Sequence, residues 1–301
     1  MLTLDRVTKT FRTGTFSGST LTAVDRVSFT VGRGEVVTLL GESGSGKSTL
    51  GRMILGLTPV NGGSLTLNGE PVRAGKEYYR RVQGIFQDPF SCFNPVFKAD
   101  RVFALVKEAY HPRVPAADWR ERVESAVRDV RLDPAQVLGK YPHQLSGGQL
   151  QRLLIARALL LDGLEFLVAD EITSMLDAST RIDVLNLLGD LRERGLGVLY
   201  ITHDLSLGTY LAERTVVLRQ GRVEERGATE KVFGNPLHPY TRHLLAAVPR
   251  LGVDWVDAEP VESCAFHDAG AGGDAGADGD LCEVEPDHFV ACARLPECPG
   301  G

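Results

Sequence analysis

The feature of the sequence that most constrains its fold is a glycine-rich loop between two apolar segments. The loop, GESGSGKST (41–49), follows the continuous apolar run EVVTLL (35–40), which is typical of a fully buried strand. It precedes LGRMILGL (50–57), whose apolar residues have helical spacing. Consecutive N–H groups of such a loop, together with the positive end of the following helix, suit phosphate oxygens. The spacing G-x-x-x-x-G-K-S therefore predicts a phosphate-binding P-loop.

The residue types of this loop suggest individual roles. We expect the Lys47 ammonium to reach the β- and γ-phosphates of a nucleotide and the Ser48 hydroxyl to bind Mg²⁺. A glycine-rich connection without a ligand is the alternative, but the buried strand and the helix are the context that a P-loop requires. The predicted nucleotide-binding residues here are Gly41, Ser43, Gly44, Ser45, Gly46, Lys47, Ser48 and Thr49.

A second apolar strand, LEFLVADE (164–171), ends in two carboxylates. Such a strand would bring Asp170 beside the P-loop, where it would help to hold Mg²⁺ through water. Glu171 would then polarise the attacking water as general base. An acidic cap on the next helix is the alternative interpretation.

Two further polar residues end predicted core strands, at the edge where parallel α/β sheets bind ligands. His203 follows GVLYIT (197–202) and is a candidate contact to the γ-phosphate. Gln87 follows GIF (84–86), where its amide could orient water or bind Mg²⁺. Either residue could equally be an ordinary polar strand terminus.

Strands and helices alternate over most of the chain, which indicates a mostly parallel sheet covered on both faces. LTLDRVTKTF (2–11) and TAVDRVSFTV (22–31) alternate apolar and polar residues, as half-buried strands do. Residues 98–137 are helical in character and interrupt the alternation. We expect them to form an inserted subdomain.

A polar segment, LSGGQ (145–149), directly precedes a strongly apolar helix. Ser146 is a good N-cap, and the N–H groups of Gly147 and Gly148 would crown the start of the helix. Their donors and the helix dipole suit a γ-phosphate.

Together these segments resemble the ATP-binding subunits of ABC transporters, over residues 1 to about 235. LSGGQ is similar to the family signature and is far more specific than the P-loop. The other matches are GESGSGKST to Walker A, LEFLVADE to Walker B, Gln87 in FQDP to the Q-loop, His203 in THD to the switch histidine, and Asp177 in SMLD to the D-loop.

The resemblance implies an α/β fold with a P-loop NTPase core, an N-terminal antiparallel β subdomain and an inserted α-helical subdomain at about 95–148. It implies ATP and Mg²⁺ as ligands. Two such subunits would pack head to tail, so that the signature of one faces the ATP of the other. Ser146, Gly147, Gly148, Gln149 and Asp177 would then complete the partner's site. Phe11 is expected to stack on adenine, with Phe16 as the competing candidate.

Two positions depart from the family pattern. Ile172 stands where proline usually follows the Walker B glutamate, and Met175 stands where alanine is common before the D-loop leucine. We interpret both as packing positions beside an active site, because Glu171 itself is present.

Within the family, the chain resembles the oligopeptide/dipeptide importer ATPases. FQDPFSCFNP (86–95) and NPLHPYTRHLLAAVP (235–249) carry this resemblance. It implies a heterodimer with a second ATPase, two membrane permeases and an extracytoplasmic substrate-binding protein, with this subunit at the cytoplasmic face of the membrane. Peptides, nickel and oligosaccharides remain open as substrates. A non-transport ABC ATPase acting in translation or DNA metabolism is the alternative function.

The segment 236–301 is predicted to be a cysteine-containing C-terminal extension. Residues 251–301 carry a net charge of −11 against +5 for residues 1–250, and no block of like charges indicates a nucleic-acid partner. The low-complexity stretch 267–280 is expected to be disordered. The cysteines of this extension are similar to a terminal motif of the subgroup, with its second place missing, and could hold a [4Fe–4S] cluster, zinc or no metal: Cys264, Cys282, Cys292 and Cys298.

Overall fold

A computed structural model describes residues 1–13, 19–246 and 281–291. The strands are β1 (Leu2–Thr13), β2 (Ser19–Val31), β3 (Val36–Leu40), β4 (Gly62–Leu67), β5 (Glu70–Pro71), β6 (Val82–Ile85), β7 (Phe166–Asp170), β8 (Gly197–Ile201), β9 (Arg214–Arg219), β10 (Arg222–Ala228), β11 (Cys282–Glu285) and β12 (His288–Val290). The helices are α1 (Lys47–Ile54), α2 (Lys76–Arg81), α3 (Arg101–Tyr110), α4 (Ala116–Asp129), α5 (Pro134–Val137), α6 (Gly147–Leu159), α7 (Ala178–Glu193), α8 (Leu205–Leu211), α9 (Thr229–Gly234) and α10 (Pro239–Ala246).

The strands form two sheets within the described ranges. A four-stranded antiparallel sheet has the order β2-β1-β4-β5. An eight-stranded sheet has the order β11-β12-β10-β9-β3-β8-β7-β6. Its strands from β9 to β6 are parallel, so the loops after β3, β7 and β8 meet at one edge. This edge is where the sequence places the P-loop, Glu171 and His203.

The central strands are buried on both faces, and alternate residues enter two different cores. In β3, Val36 joins the core that contains α3, α4, α6 and α7, whereas Val37 and Leu39 join the core shared by both sheets and α1. In β8, Tyr200 and Leu199 divide in the same way. The P-loop helix α1 is thus held between the two sheets, which fixes the loop that precedes it.

The predicted α/β fold is confirmed, and most predicted elements are present. The apolar runs before the P-loop, Asp170 and His203 form β3, β7 and β8, and the inserted region contains α3, α4 and α5. The apolar helix expected after LSGGQ is α6 and begins at Gly147, so the signature glycines belong to its first turn. No described helix is long and apolar enough to cross a membrane.

Part of the C-terminal extension joins the core sheet. Strand β12 pairs antiparallel with β10, and β11 pairs with β12. The division of the chain at residue 235 stays a prediction, but strands from beyond it lengthen the sheet that holds the P-loop. The low-complexity stretch and Phe16 lie outside the described residues.

Candidate functional site

A cleft of about 650 Å³ opens above the P-loop. That volume lies within the range of small-molecule sites, roughly 300–1,000 Å³. One wall carries Phe11 and Leu21, which stand opposite each other in β1 and β2 and are 40% and 56% exposed. The full lining is Phe11, Leu21, Thr22, Ala23, Ser43, Gly44, Gly46, Lys47, Ser48, Thr49, Glu171 and Gln220.

Glycine is required at Gly46, which is the N-cap of α1. Its φ is 106°, and a Cβ there would lie less than 3.0 Å from the Ala23 carbonyl oxygen. The loop is braced on the other side by the turn after β9, where the Gly221 N–H donates to the Ser45 carbonyl at 2.8 Å. These contacts hold the loop open as a cradle of N–H groups.

The Lys47 ammonium is buried and bonded to the loop itself. Nζ donates to the carbonyl oxygens of Gly41 and Glu42, both at 2.7 Å. Burial lowers the pKa of Lys47, and the carboxylates of Glu171 and Asp170 oppose that shift. The two hydrogen bonds to the loop therefore hold the Lys47 ammonium beside the cleft.

Asp170, at the end of β7, lies next to the first turn of α1. The Ser48 hydroxyl donates to its Oδ1 at 3.3 Å. Burial raises the pKa of the Asp170 carboxyl, and the bond from Ser48 opposes the shift. A hydroxyl and a buried carboxylate are the oxygen ligands that Mg²⁺ prefers, and a cation here would stabilise the ionised carboxylate.

Glu171 and His203 meet at the edge of the sheet. His203 Nδ1 lies 3.2 Å from Glu171 Oε1, and the Glu171 N–H donates to the Ile201 carbonyl of β8 at 2.9 Å. Glu171 has a φ of 50°, in the left-handed region that few non-glycine residues occupy. This backbone turn aims its carboxylate into the cleft rather than along the strand.

Gln87 follows β6 and is exposed, outside the cleft lining. The residue before it is tied to the signature helix, because Gln151 of α6 donates from Nε2 to the Phe86 carbonyl at 3.3 Å. Gln151 is fully buried. The segment that carries Gln87 is therefore anchored to α6.

The signature forms a complete capping box at the start of α6. Ser146 Oγ accepts from the Gln149 N–H at 3.2 Å, and Gln149 Oε1 accepts from the Ser146 N–H at 2.9 Å. The Ser146 residue is exposed, and none of the four residues 146–149 lines the cleft of the same chain. The signature therefore lies outside the nucleotide cleft of its own chain.

Asp177 is the N-cap of α7 and lies beside the signature. It accepts from the Thr180 N–H at 2.9 Å and from the Ser179 hydroxyl at 2.7 Å, and these bonds hold the pKa of its carboxyl well below the usual range. A Cβ at Gly148 would lie less than 3.0 Å from Thr180 Cγ2. The two helix starts are thus packed without room for a side chain at Gly148.

The two departures from the family pattern differ in their surroundings. Ile172 is buried, as a packing position should be, but Met175 is 60% exposed. The interpretation of Met175 as a packed residue is therefore wrong for the single chain. It stands at the surface next to Leu176, which packs near Gly147.

The residues present fit a magnesium nucleotide. The Ser45 hydroxyl is buried and has no hydrogen-bond partner among the described residues, which leaves a donor for a ligand oxygen. The cleft also holds the buried ammonium of Lys47, and the oxygens of Ser48 and Asp170 beside it suit Mg²⁺. The exposed apolar side chains of Phe11 and Leu21 suit contact with a flat ring.

Several cleft residues are absent from the sequence prediction. Leu21, Thr22, Ala23 and Gln220 come from β2 and from the turn after β9, far from every motif. No local spacing marks them, since only the fold brings these segments to the loop.

The cysteine prediction is only partly within the described residues. Cys282 is half-buried in β11 and is not part of a disulfide. Cys264, Cys292 and Cys298 lie outside the described residues. In the part of the chain that the structure covers, no three histidine, cysteine or acidic side chains form a group that could hold a metal ion.

Fold and cleft define the class of protein: a P-loop ATPase whose core sheet carries an antiparallel β subdomain and a helical insert. Residues 24–174 match the family model described as "ABC transporter", and residues 224–268 match "Oligopeptide/dipeptide transporter, C-terminal region". The chain belongs to the ATP-binding proteins of the ABC transporter family.

Relatives and solved structures agree with this assignment. The oligopeptide transport ATP-binding protein OppF of Bacillus subtilis is 38% identical and the match covers 91% of each chain. The oligopeptide transport ATP-binding protein AmiF of Streptococcus pneumoniae is 41% identical over 75% of each chain. The ATP-binding cassette MJ0796, solved as a dimer bound to ADP and Pi, is 29% identical, with a TM-score of 0.67 over 76% of this chain and 99% of that one.

Proposed function

We propose that this chain is the ATP-hydrolysing subunit that energises a membrane importer of peptides or similar small solutes. The observation that carries the proposal is the meeting of Lys47, Ser48, Asp170, Glu171 and His203 at one edge of the sheet. The names of the relatives and the match of residues 224–268 support the peptide subgroup. They offer nothing in favour of a role in translation or DNA metabolism.

In this proposal different residues of the chain bind the phosphates, Mg²⁺ and the adenine of ATP and promote its hydrolysis. The P-loop N–H groups and Lys47 bind the phosphates, Ser48 and Asp170 hold Mg²⁺, and Phe11 packs against the adenine. Bound Mg²⁺ neutralises part of the phosphate charge. Glu171 accepts the proton of the attacking water, and His203, 3.2 Å away, orients that carboxylate and contacts the γ-phosphate.

Gln87 completes this set by orienting water or binding Mg²⁺. It would have to approach the phosphates from its exposed position after β6. Because α6 holds Phe86, the approach of Gln87 would require a movement of this segment relative to α6.

The signature acts in the partner's site. Ser146, Gly147, Gly148, Gln149 and Asp177 lie away from their own cleft, and the exposed start of α6 suits the γ-phosphate bound to a second ATPase subunit. That MJ0796 was solved as a dimer supports such packing. We infer a heterodimer with a related ATPase, attached to two permeases at the cytoplasmic face of the membrane and supplied by an extracytoplasmic binding protein.

The segment after Gln87 is the proposed contact with a permease. Phe90, Val96 and Phe97 are large apolar residues about half exposed or more. Exposed apolar groups so close in sequence favour a protein partner.

The iron–sulfur cluster remains a hypothesis about the four C-terminal cysteines. Cysteinate ligands suit iron–sulfur or zinc. The iron and zinc contents of anaerobically purified protein distinguish a cluster, a zinc site and free thiols.

The substitution Glu171→Gln tests the catalytic assignment. It keeps the size and the backbone of Glu171 but removes the base, so we expect ATP binding to persist and turnover in the assembled transporter to fall by about 10²–10⁴-fold. The control is Glu230→Gln, which changes an exposed carboxylate of α9. Hydrolysis at the wild-type rate in the Glu171→Gln complex would remove Glu171 from this role.

The transport assignment is tested by uptake into proteoliposomes that contain the whole transporter. We expect ATP-dependent accumulation of a labelled oligopeptide with the wild type and none with Glu171→Gln. Accumulation of nickel or of an oligosaccharide instead would keep the ATPase and change the substrate. No ATP-dependent uptake of any of the three would contradict the importer.

A further inference from the structure

A tyrosine of the C-terminal region contacts the P-loop. Tyr240, in α10, accepts a hydrogen bond at its hydroxyl from the Glu42 N–H at 3.1 Å, across 198 residues of sequence. Its ring is only 5% exposed and packs with Val217 and Val232. The hydroxyl is thus delivered to the loop by a buried side chain with little freedom.

The bond from Glu42 matters because of the peptide group to which that N–H belongs. The carbonyl of the same peptide group is Gly41 O, which accepts from Lys47 Nζ at 2.7 Å. The peptide between Gly41 and Glu42 is therefore held at both ends, by Tyr240 on one side and by Lys47 on the other. A rotation of this peptide, which a glycine at position 41 permits, would break both bonds.

The helix that carries Tyr240 is anchored in turn to the core sheet. The fully buried Glu225 of β10 accepts from the N–H groups of Leu237 and His238, both at 2.9 Å. The Tyr240 N–H donates to His238 Nδ1 at 3.1 Å. Hydrogen bonds to a carboxylate are among the stronger ones in proteins, so the start of α10 has a fixed position.

Glu225 also receives a partner from the last described strands. His288 Nε2, in β12, lies 2.7 Å from Glu225 Oε1, and both side chains are fully buried. Continuous contacts thus run from the β11–β12 hairpin through Glu225, α10 and Tyr240 to the peptide that bonds Lys47.

Tyr240 also contacts the end of β9, beside the cleft. The Arg219 guanidinium lies over its ring, 4.9 Å from the centroid. Arg219 directly precedes Gln220, which lines the cleft. The ring therefore supports the turn after β9 as well as the loop after β3.

We propose that Tyr240 is a positioning residue for ATP binding. It fixes the orientation of the Gly41–Glu42 peptide, and through this peptide the place of Lys47, so that the C-terminal region sets the affinity of the cleft for nucleotide. The proposal rests on the proposed function only in that the P-loop binds ATP. The motif analysis and the family comparisons leave Tyr240 without a role.

The test is Tyr240→Phe, which removes the hydroxyl and keeps the ring. The affinity of the purified full chain for MgADP is measured by calorimetry. We expect Kd to rise by about 2- to 12-fold, the usual effect of one lost hydrogen bond. In the assembled transporter KM for ATP should rise by the same factor, with kcat unchanged. A purely structural role would lower the melting temperature and leave Kd where it was.

The matched control is Tyr210→Phe. Tyr210 lies in α8, and its hydroxyl donates to Asn186 Oδ1 at 2.8 Å on the surface, outside the cleft lining. The Tyr210→Phe variant therefore loses one hydrogen bond of a tyrosine hydroxyl, as Tyr240→Phe does, and we expect no change in its Kd for MgADP. Equal shifts in the two variants would overturn the proposal.

A double-mutant cycle tests the route through α10. Glu225→Gln weakens the anchor of that helix and should raise Kd, but it should add nothing in the Tyr240→Phe background, because the contact it acts through is gone. Additive effects would contradict this route. Should Glu225→Gln fail to fold, the Tyr240→Phe and Tyr210→Phe pair still decides the proposal.

The outcomes separate this proposal from the proposed function. A wild-type chain that binds no MgADP would contradict the ATPase itself. A wild type that binds MgADP, with a Tyr240→Phe variant that binds it within twofold as tightly, would contradict only the role of Tyr240.

Discussion

At the scale of single residues, the cleft depends on backbone conformations that ordinary side chains avoid. Gly46 caps α1 with a φ of 106°, and the Ala23 carbonyl occupies the place of a Cβ. A side chain at Gly46 would therefore cause both backbone strain, from the positive φ, and a steric overlap with the Ala23 carbonyl. Elsewhere, as at Gly69 in the turn between β4 and β5, a φ of 83° is combined with open space.

This difference predicts unequal effects of two alanine substitutions. Gly46→Ala should displace the loop against β2 and weaken MgADP binding by at least about tenfold, equivalent to ~1.4 kcal/mol. Gly69→Ala carries the backbone strain alone, about 1–2 kcal/mol of unfolding free energy, and should leave nucleotide affinity unchanged. Calorimetry and thermal denaturation of both variants check the pair. Equal affinities would show that the Ala23 contact is not limiting.

At the scale of residues, prediction is possible where the chemistry follows from local spacing. Lys47 and Ser48 lie at fixed distances from a strand end, and Asp170 and Glu171 end a strand that its apolar run identifies. Leu21 and Gln220 carry no such mark, because they reach the cleft through sheet pairing and a turn. Tyr240 carries no such mark either, because its contact with Glu42 spans 198 residues, and in the sequence its segment indicates only a subgroup.

At the scale of elements, the starts of α6 and α7 are packed together. Gly148 sits against the Thr180 methyl, whereas a Cβ at Gly147 would meet Leu176 and Phe90 at an ordinary 3.7 Å. Thr180 itself is held by Asp177, which accepts from both its N–H and its hydroxyl. The signature and the D-loop are therefore in contact through Thr180.

We expect Gly148→Ala to separate these helix starts and to lower the thermal stability, and Gly147→Ala to leave the thermal stability unchanged. The clash at Gly148 involves one methyl group, so Thr180→Ser should rescue Gly148→Ala while keeping the hydroxyl bond to Asp177. Overpacking of this kind costs about 1–3 kcal/mol. Thermal denaturation of the purified chain measures both effects. A double variant no better than Gly148→Ala would mean that the clash lies elsewhere.

Elements were predictable where burial matches apolar character. Strand β10 has the polar sequence RVEERGA, yet it is largely buried. Its charges have specific partners: Glu225 bonds His288 and two N–H groups, and Arg226 lies over the Phe289 ring, 4.0 Å from the centroid. Paired charges are compatible with burial, but the partners come from distant segments that periodicity does not reveal.

At the scale of the whole molecule, a buried histidine links the C-terminal strands to the core sheet. His288 of β12 lies between the carboxylates of Glu225 and Glu285. Burial lowers the pKa of His288, but the hydrogen bonds to Glu225 and Glu285 outweigh it, and the pKa lies above its ordinary value of 6.5. A raised pKa in the folded state means that protonation stabilises the fold. The stabilisation is fully present below the unfolded pKa and is lost as pH rises through the folded one.

The stability that His288 contributes should therefore fall as pH rises above about 6.5. The variant His288→Asn should lose this part of the pH dependence, whereas His143→Asn, at an exposed position, should retain it. Melting temperatures measured across this range provide the check. A His288→Asn profile parallel to that of the wild type would refute the link.

The proposed arrangement of two ATPase subunits depends on family resemblance alone. In the single chain the signature lies outside the cleft lining, and nothing in periodicity or spacing says what covers it. Composition likewise does not predict that β11 and β12, which belong to an acidic extension, pair with the core sheet.

The bond between Tyr240 and the P-loop also has a consequence for biosynthesis. Glu42 is synthesised 198 residues before its partner, an interval of roughly 10–40 s at usual elongation rates. During that time a nascent chain has a finished P-loop sequence but lacks the tyrosine that bonds the Gly41–Glu42 peptide. On the proposed role of Tyr240, tight binding of nucleotide then waits until the late segments have been made.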